Sequence, residues 1–164
     1  MKIKSIALFF IILLMVFWGT QATAQSIRII RFEALQKLYE QPTDTVYIVN
    51  FWATWCRPCV AELPNFELLS RNNQHKKVKV LLVSMDFAKD LPSKVQPFVK
   101  KKQLKSTVLL LNESDANRFI DRVEPSWSGS LPATLILNNA RQKRKFFEKE
   151  MSYELLTKEI QAFW

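Results

Sequence analysis

One short run of apolar residues limits the possible folds of this chain more than any other feature. Residues 80–83 are Val-Leu-Leu-Val, four consecutive large aliphatic side chains inside the segment Val78–Ser84. A strand with one solvated face alternates apolar and polar side chains, so a continuous run indicates burial on both faces, as in an interior parallel strand. Residues 46–51 form a second apolar segment that predicts another buried strand. The sequence therefore favours a sheet covered on both sides.

Strand-like and helix-like segments alternate along the rest of the chain. The segment between the two strands places Leu63, Phe66 and Leu69 at helical spacing, which predicts a helix over residues 59–73 that Pro64 kinks. Further strands are predicted at residues 27–30, 107–111, 133–137 and 144–148, and further helices at residues 32–39, 92–102 with a bend at Pro97, 115–123 with Ser114 as its cap, and 152–163. This order predicts an α/β domain with a mixed central sheet flanked by helices, parallel in its first part.

The N-terminus has the pattern of a secretory signal peptide. Lys2 and Lys4 precede an apolar stretch over residues 6–18, and Ala22-Thr23-Ala24 supplies small residues for cleavage. We therefore expect a signal peptide over residues 1–24 and a mature domain over residues 25–164, in a periplasmic or other extracytoplasmic location. An uncleaved N-terminal membrane anchor is the alternative. Both interpretations predict an exported protein.

Charge and composition exclude several function classes. The chain has a net charge of +9, and loss of Lys2 and Lys4 with the signal peptide would leave +7. We expect no nucleic-acid partner, because no recognition motif accompanies the charge, whereas an anionic membrane surface or an acidic protein partner would fit it. Gly129 is the only glycine after residue 24, so no phosphate-binding loop is present. His75 lies in a polar stretch, which argues against Ser-His-Asp catalysis and a histidine metal site.

Both cysteines of the chain belong to one motif, Trp55-Cys56-Arg57-Pro58-Cys59, between a predicted strand and a predicted helix. A helix N-terminus stabilises a thiolate, so we expect Cys56 to be the attacking thiol and Cys59, one turn along, to be the resolving thiol. Arg57 should favour the thiolate and a more oxidising potential, and Pro58 should stiffen the turn. A zinc site lacks further ligands, and Val60 excludes covalent haem attachment. A static disulfide is the remaining alternative.

Two stretches around this motif resemble a known family. Residues 49–59 with 62–64, and the segment 129–137, are similar to the thioredoxin-like thiol-disulfide oxidoreductases of the TlpA/ResA type. The resemblance implies a thioredoxin-like fold with an extra helix and strand, which we assign to residues 92–111. It also implies that Pro132 follows a cis peptide bond and that the main chain of Leu131 pairs with an extended substrate.

The resemblance also assigns residues that tune the cysteines or surround them. Asn50 stands where thioredoxins carry a buried aspartate, so the proton route through that acid is missing. Glu62 matches an acidic position of the family and could supply the missing function, or it could be a solvated helix carboxylate. Trp52 is expected in the core and Trp55 on an exposed recognition surface, whereas Trp127 either lines a substrate groove or packs in the interior.

These observations lead to one main hypothesis and two alternatives. The main hypothesis is an exported disulfide reductase or exchange enzyme without a bound cofactor or metal. The resemblance implies that a membrane electron donor recharges it, and that apocytochrome c, during cytochrome c maturation, is one substrate. The first alternative is a disulfide-donating oxidase of the same fold. The second is a non-enzymatic carrier that uses the thiols to handle a metal or haem.

Overall fold

A computed structural model describes residues 26–113, 115 and 118–164 of the chain. The predicted signal peptide and the predicted cap residue Ser114 lie outside the described residues. Within the described ranges, no helix combines the length and apolar character needed to cross a membrane.

The described elements alternate as the sequence predicts. In chain order they are β1 (Arg28–Ile30), α1 (Phe32–Tyr39), β2 (Val46–Trp52), α2 (Arg57–Asn72), β3 (Val78–Ser84), α3 (Gln96–Lys102), β4 (Thr107–Leu111), α4 (Ile120–Val123), β5 (Ala133–Asn138), β6 (Lys143–Phe147) and α5 (Tyr153–Gln161).

The six strands form one mixed sheet in the order β1-β4-β3-β2-β5-β6. Strands β1 and β4, β4 and β3, and β3 and β2 pair in parallel, whereas β5 is antiparallel to both β2 and β6. Every residue of β2 is buried, because the strand lies inside the sheet and both of its faces are covered. The predicted mixed α/β sheet with a parallel first part is therefore confirmed.

Successive residues of each inner strand contribute to hydrophobic cores on opposite faces of the sheet. On β2, Ile48 and Trp52 join the core under α2, α3 and α5, while Val49 and Phe51 join the core under α1. The carboxyl end of β2 leads directly into α2, so this edge of the sheet carries the cysteine motif.

The predicted insert lies inside the sheet. Strand β4 separates β1 from β3, and α3 precedes it. The predicted helix over residues 92–102 is divided into a π-helical turn over Leu91–Val95 and the regular helix α3. Pro97 is the second residue of α3 and lies directly after the π-helical turn, where the helical hydrogen-bond pattern changes. Two predicted features of the insert, an extra helix and an extra strand, are thus confirmed.

The predicted helix over residues 115–123 extends too far, since among its described residues Asp115 and Phe119 are not helical and α4 covers Ile120–Val123. Phe119 has a φ of −133°, which is outside the helical range. Its buried ring lies 5.9 Å from the ring centre of Phe32 and 6.0 Å from that of Trp127. Burial of this aromatic side chain therefore accompanies the break in the helix.

Candidate active site

The two cysteines form a disulfide at the N-terminus of α2. Cys56 is the N-cap residue, and its Sγ accepts a hydrogen bond from the Cys59 N–H at 3.3 Å. Cys56 keeps 7% of its surface exposed, whereas Cys59 is fully buried. The helix begins two residues earlier than the sequence predicted, because Arg57 and Pro58 form its first turn, where proline is tolerated. Helix α2 also continues past Pro64.

The other two residues of the motif lie at the surface beside the disulfide. Arg57 is exposed and Pro58 is half-buried. Among the described residues Arg57 has no ion pair, so its charge is not neutralised by a carboxylate. A cation at this position favours a thiolate over a thiol at Cys56.

Glu62 is a buried carboxylate, one helical turn after Cys59. Only 2% of its surface is exposed, so the solvated-carboxylate alternative is wrong. Its Oε2 accepts from the Met151 N–H at 2.7 Å, and its Oε1 accepts from the Asn50 side-chain amide at 2.7 Å. Burial raises the pKa of Glu62 to about 7, although both hydrogen bonds favour the charged form. The carboxyl group can therefore bind and release a proton near neutral pH.

Asn50 connects Glu62 to the strand that follows Pro132. Its Nδ2 donates to Glu62 and, at 3.2 Å, to the Thr134 hydroxyl oxygen. Its Oδ1 is buried and has no hydrogen-bond partner among the described residues. An amide does not exchange protons near neutral pH, so Asn50 can hold and orient Glu62 but cannot act as the acid itself.

The peptide bond between Leu131 and Pro132 is cis, as the resemblance implied. Pro132 is buried, and Leu131 is partly buried against the cores on both faces of the sheet. In the described part of the chain, no main-chain hydrogen bond involves Leu131. Its N–H and carbonyl oxygen thus have no main-chain partner among these residues.

Of the three tryptophans considered, Trp52 is fully buried and Trp55 has 69% of its surface exposed, as expected. Trp127 is buried, and its ring centre lies 4.8 Å from that of Phe51 and 5.6 Å from that of Phe146. Its Nε1–H donates to the Ser130 carbonyl oxygen at 2.9 Å. Of the two alternatives for Trp127, these contacts support packing in the interior, and the indole N–H anchors the loop before Pro132.

The segment that follows β3 carries two functional candidates, Asp86 and Phe87, that the sequence pattern does not identify. Buried Asp86 accepts from the Thr54 N–H at 3.0 Å, from the Thr54 hydroxyl at 2.5 Å and from the Ser84 hydroxyl at 2.8 Å. These bonds hold the segment against the turn that carries Trp55. The next residue, Phe87, has 71% of its surface exposed. The sequence feature that could have indicated this segment is its position after a parallel strand, at the edge where binding sites form in α/β sheets.

The comparisons with known proteins agree with this geometry. Residues 20–143 match the AhpC/TSA family. The thiol-disulfide oxidoreductase ResA of Oceanobacillus iheyensis is 46% identical over 39 residues, which cover 24% of this chain and 20% of that relative. Matches to three other relatives span 47% to 56% of their lengths.

Two solved structures share the fold. A thioredoxin-related protein from Neisseria meningitidis serogroup B has a TM-score of 0.63 and 22% identity, covering 72% of this chain and 84% of that one. A secreted thiol-disulfide isomerase from Corynebacterium glutamicum has a TM-score of 0.60 and 20% identity, covering 73% and 71%. The chain belongs to the AhpC/TSA family and has a thioredoxin-like fold.

Proposed function

We propose that the protein is an extracytoplasmic thiol-disulfide oxidoreductase that reduces or exchanges disulfides in other exported proteins. The observation that carries the proposal is the Cys56–Cys59 disulfide at the N-terminus of α2, with Cys56 the more exposed cysteine. The N-terminal sequence pattern and the similarity to the secreted isomerase from Corynebacterium glutamicum support the extracytoplasmic location. No cofactor or metal is needed for this chemistry.

The reaction begins with the reduced protein. The Cys56 thiolate attacks one sulfur of the client disulfide, forms a mixed disulfide and releases the second client sulfur as a thiolate. The Cys59 thiolate then attacks the Cys56 sulfur, which closes the Cys56–Cys59 disulfide and releases the first client sulfur. Two electrons pass from the protein to the client. An external dithiol or membrane electron donor must return two electrons before the next cycle.

Glu62 would accept the proton of the resolving cysteine, Cys59, and release it later in the cycle. Cys59 must lose its proton before it attacks, and the helical spacing brings Glu62 near it on α2. A carboxyl group with a pKa of about 7 can accept this proton and later pass it to solvent or to the departing client thiolate. In this proposal Asn50 orients the carboxylate through its 2.7 Å hydrogen bond.

Three surface features would bind the client. The free main chain of Leu131 would pair with an extended client segment beside its disulfide, as in the addition of a short strand. Trp55 directly follows Thr54 and Phe87 directly follows Asp86, which are hydrogen-bonded to each other, and both rings are exposed. Apolar client side chains would pack on these rings, because few native contacts compete for them.

The range of clients is part of the proposal. Apocytochrome c, in a cytochrome c maturation pathway, is one client that the resemblance implies.

A disulfide-donating oxidase is a second candidate function. The uncompensated charge of Arg57 favours it, because stabilisation of the thiolate raises the reduction potential. The carrier hypothesis predicts stoichiometric metal on the purified, reduced protein, which atomic absorption would detect.

Substrate trapping tests the assigned roles of the two cysteines. Cys59→Ser should accumulate covalent adducts with client proteins on Cys56, because the mixed disulfide can no longer be resolved. Cys56→Ser should accumulate almost none, and the double variant serves as the background. Non-reducing gels of proteins captured from an extracytoplasmic extract provide the measurement. Equal capture by the two single variants would contradict the assignment.

A further inference from the structure

One carboxylate at the end of β6 holds the loop that leads to Pro132. Glu148 Oε1 accepts from the Ser130 N–H at 3.0 Å and from the Ser128 hydroxyl, while Oε2 accepts from the Ser128 N–H at 3.2 Å. The Ser128 and Ser130 hydroxyl oxygens are 2.9 Å apart. Two main-chain amides and one hydroxyl thus converge on a single side chain from another element.

The sheet register explains why Glu148 reaches this loop. Phe147, the last residue of β6, pairs with Thr134 near the start of β5. Glu148, the residue directly after β6, is therefore beside the segment that enters β5 through Pro132.

The hydrogen bonds from Ser128 and Ser130, first of all the one from the Ser128 hydroxyl, lower the pKa of Glu148. The side chain is consequently an anion at neutral pH.

The same loop is held from its other side by the core. The Trp127 indole donates to the Ser130 carbonyl oxygen, so both polar main-chain atoms of Ser130 are bound. Gly129 between the two serines has a φ of +88°, and a Cβ there would lie 3.1 Å from Ile120 Cδ1. The conformation immediately before Leu131 is therefore determined by a small number of identifiable contacts.

We propose that Glu148 is a positioning residue for client binding, which holds the loop so that the main chain of Leu131 is presented in the conformation that pairs with a client. This assignment rests on the proposed function. Glu148 does not touch the disulfide in this arrangement, and it acts only through Ser128 and Ser130. Its loss should weaken the binding of an extended protein segment and leave the chemistry of the cysteines unchanged.

The test compares Glu148→Gln with the wild type on two substrates. The glutamine is nearly isosteric but has only one acceptor oxygen, so it cannot satisfy both amides and the hydroxyl. We expect the KM for insulin reduction to rise roughly three- to tenfold, the loss typical of one ordinary protein hydrogen bond. The kcat for insulin, the rate with a small aromatic disulfide and the reduction potential should stay unchanged.

Two further variants make the test specific. Ser128→Ala removes one donor to the same carboxylate and should raise the KM in the same direction by a smaller factor, even if Glu148→Gln folds poorly. Glu154→Gln changes an exposed glutamate of α5 and should leave the KM unchanged.

An unchanged KM in both Glu148→Gln and Ser128→Ala would overturn the assignment. An equal loss of rate on insulin and on the small disulfide would overturn it as well, since the residue would then affect the cysteines. A wild-type protein that reduces neither substrate would overturn the proposed function and this assignment together.

Discussion

At the scale of single residues, Glu62 links the stability of the fold to its chemistry. The carboxyl group is buried, yet within the described ranges it has only two hydrogen-bond donors, the Met151 N–H and the Asn50 amide. Burial disfavours the charge more than the two donors favour it, so the pKa rises to about 7. A group with this pKa changes its protonation state in the pH range where thiol-disulfide exchange takes place.

This shift predicts a pH-dependent difference in stability between the oxidised wild type and Glu62→Gln. The folded pKa of about 7 exceeds the ordinary value of 4.5, so the folded protein binds the proton more tightly than the unfolded chain. The stability that protonated Glu62 contributes is present below about pH 4.5 and is lost as the pH rises through 7. The full difference is about 3 kcal/mol.

Urea unfolding of both oxidised proteins from pH 4 to pH 8 provides the measurement. The disulfide does not titrate in either protein, and exposed His75 is common to both, so the difference reports Glu62. In the glutamine variant the new amide group can donate to the unpartnered Asn50 Oδ1. A free-energy difference that stays constant over this range would refute the raised pKa.

A substitution of Phe87 should weaken client binding without changing the stability of the fold. Phe87→Ala should leave the free energy of unfolding within about 0.5 kcal/mol of the wild type, because the ring is largely exposed. It should raise the KM for insulin while leaving the rate with a small disulfide unchanged. Ile29→Ala, at a 47% exposed site on β1, is the matched control. Equal effects of the two substitutions on insulin reduction would remove Phe87 from the client surface.

At the scale of elements, the segment between α4 and β5 depends on Trp127. The ring packs among Phe51, Phe119 and Phe146, and the indole N–H binds the Ser130 carbonyl oxygen. Trp127→Ala should cost about 3–5 kcal/mol through the cavity it creates. Trp127→Phe keeps an aromatic ring and loses the hydrogen bond, so it should cost less. Similar unfolding midpoints for the wild type and Trp127→Ala in urea would contradict this interior packing.

The elements also show how far local sequence patterns determine the fold. The strands Val78–Ser84 and Thr107–Leu111 have the predicted bounds, because each is a compact apolar run whose burial does not depend on one partner. The helix predicted over residues 115–123 is interrupted at Phe119, because this side chain turns into a core that includes Phe32 from α1. Helical spacing could not reveal this tertiary contact.

The candidate site likewise contains some residues that the sequence pattern identifies and others that it does not. The cysteine motif and the proline loop were visible in the sequence, because their residue types and spacing are specific. The burial of Glu62 was not, since it depends on Met151, which is 89 positions away in the sequence. The sequence does not single out Asp86 and Phe87 either, because an acidic residue and an aromatic residue after a strand are common in loops.

At the scale of the whole molecule, the insert is part of the core. Alternate residues of β4 face the two sides of the sheet, with Val108 and Leu110 in one hydrophobic core and Leu109 and Leu111 in the other. Strand β4 also joins β1 to the remaining strands. The insert therefore connects β1 to the part of the sheet that carries the cysteines.

The basic residues are distributed over several elements. Lys100, Lys101 and Lys102 end α3, whereas Lys143 and Lys145 lie on the edge strand β6. Lys145 also forms an ion pair with Glu159 at 2.7 Å. Contact with an anionic membrane surface remains a prediction, and such contact would weaken as salt screens the charges.

The reduction potential of the Cys56/Cys59 pair tests the central claim most directly. Residues 25–164 would be equilibrated with defined dithiol and disulfide buffers, and the free thiols counted at each ratio. A reductase that is recharged in an oxidising compartment should have a potential well below about −200 mV, whereas a value near about −120 mV would identify a disulfide donor and contradict the proposed direction of electron flow.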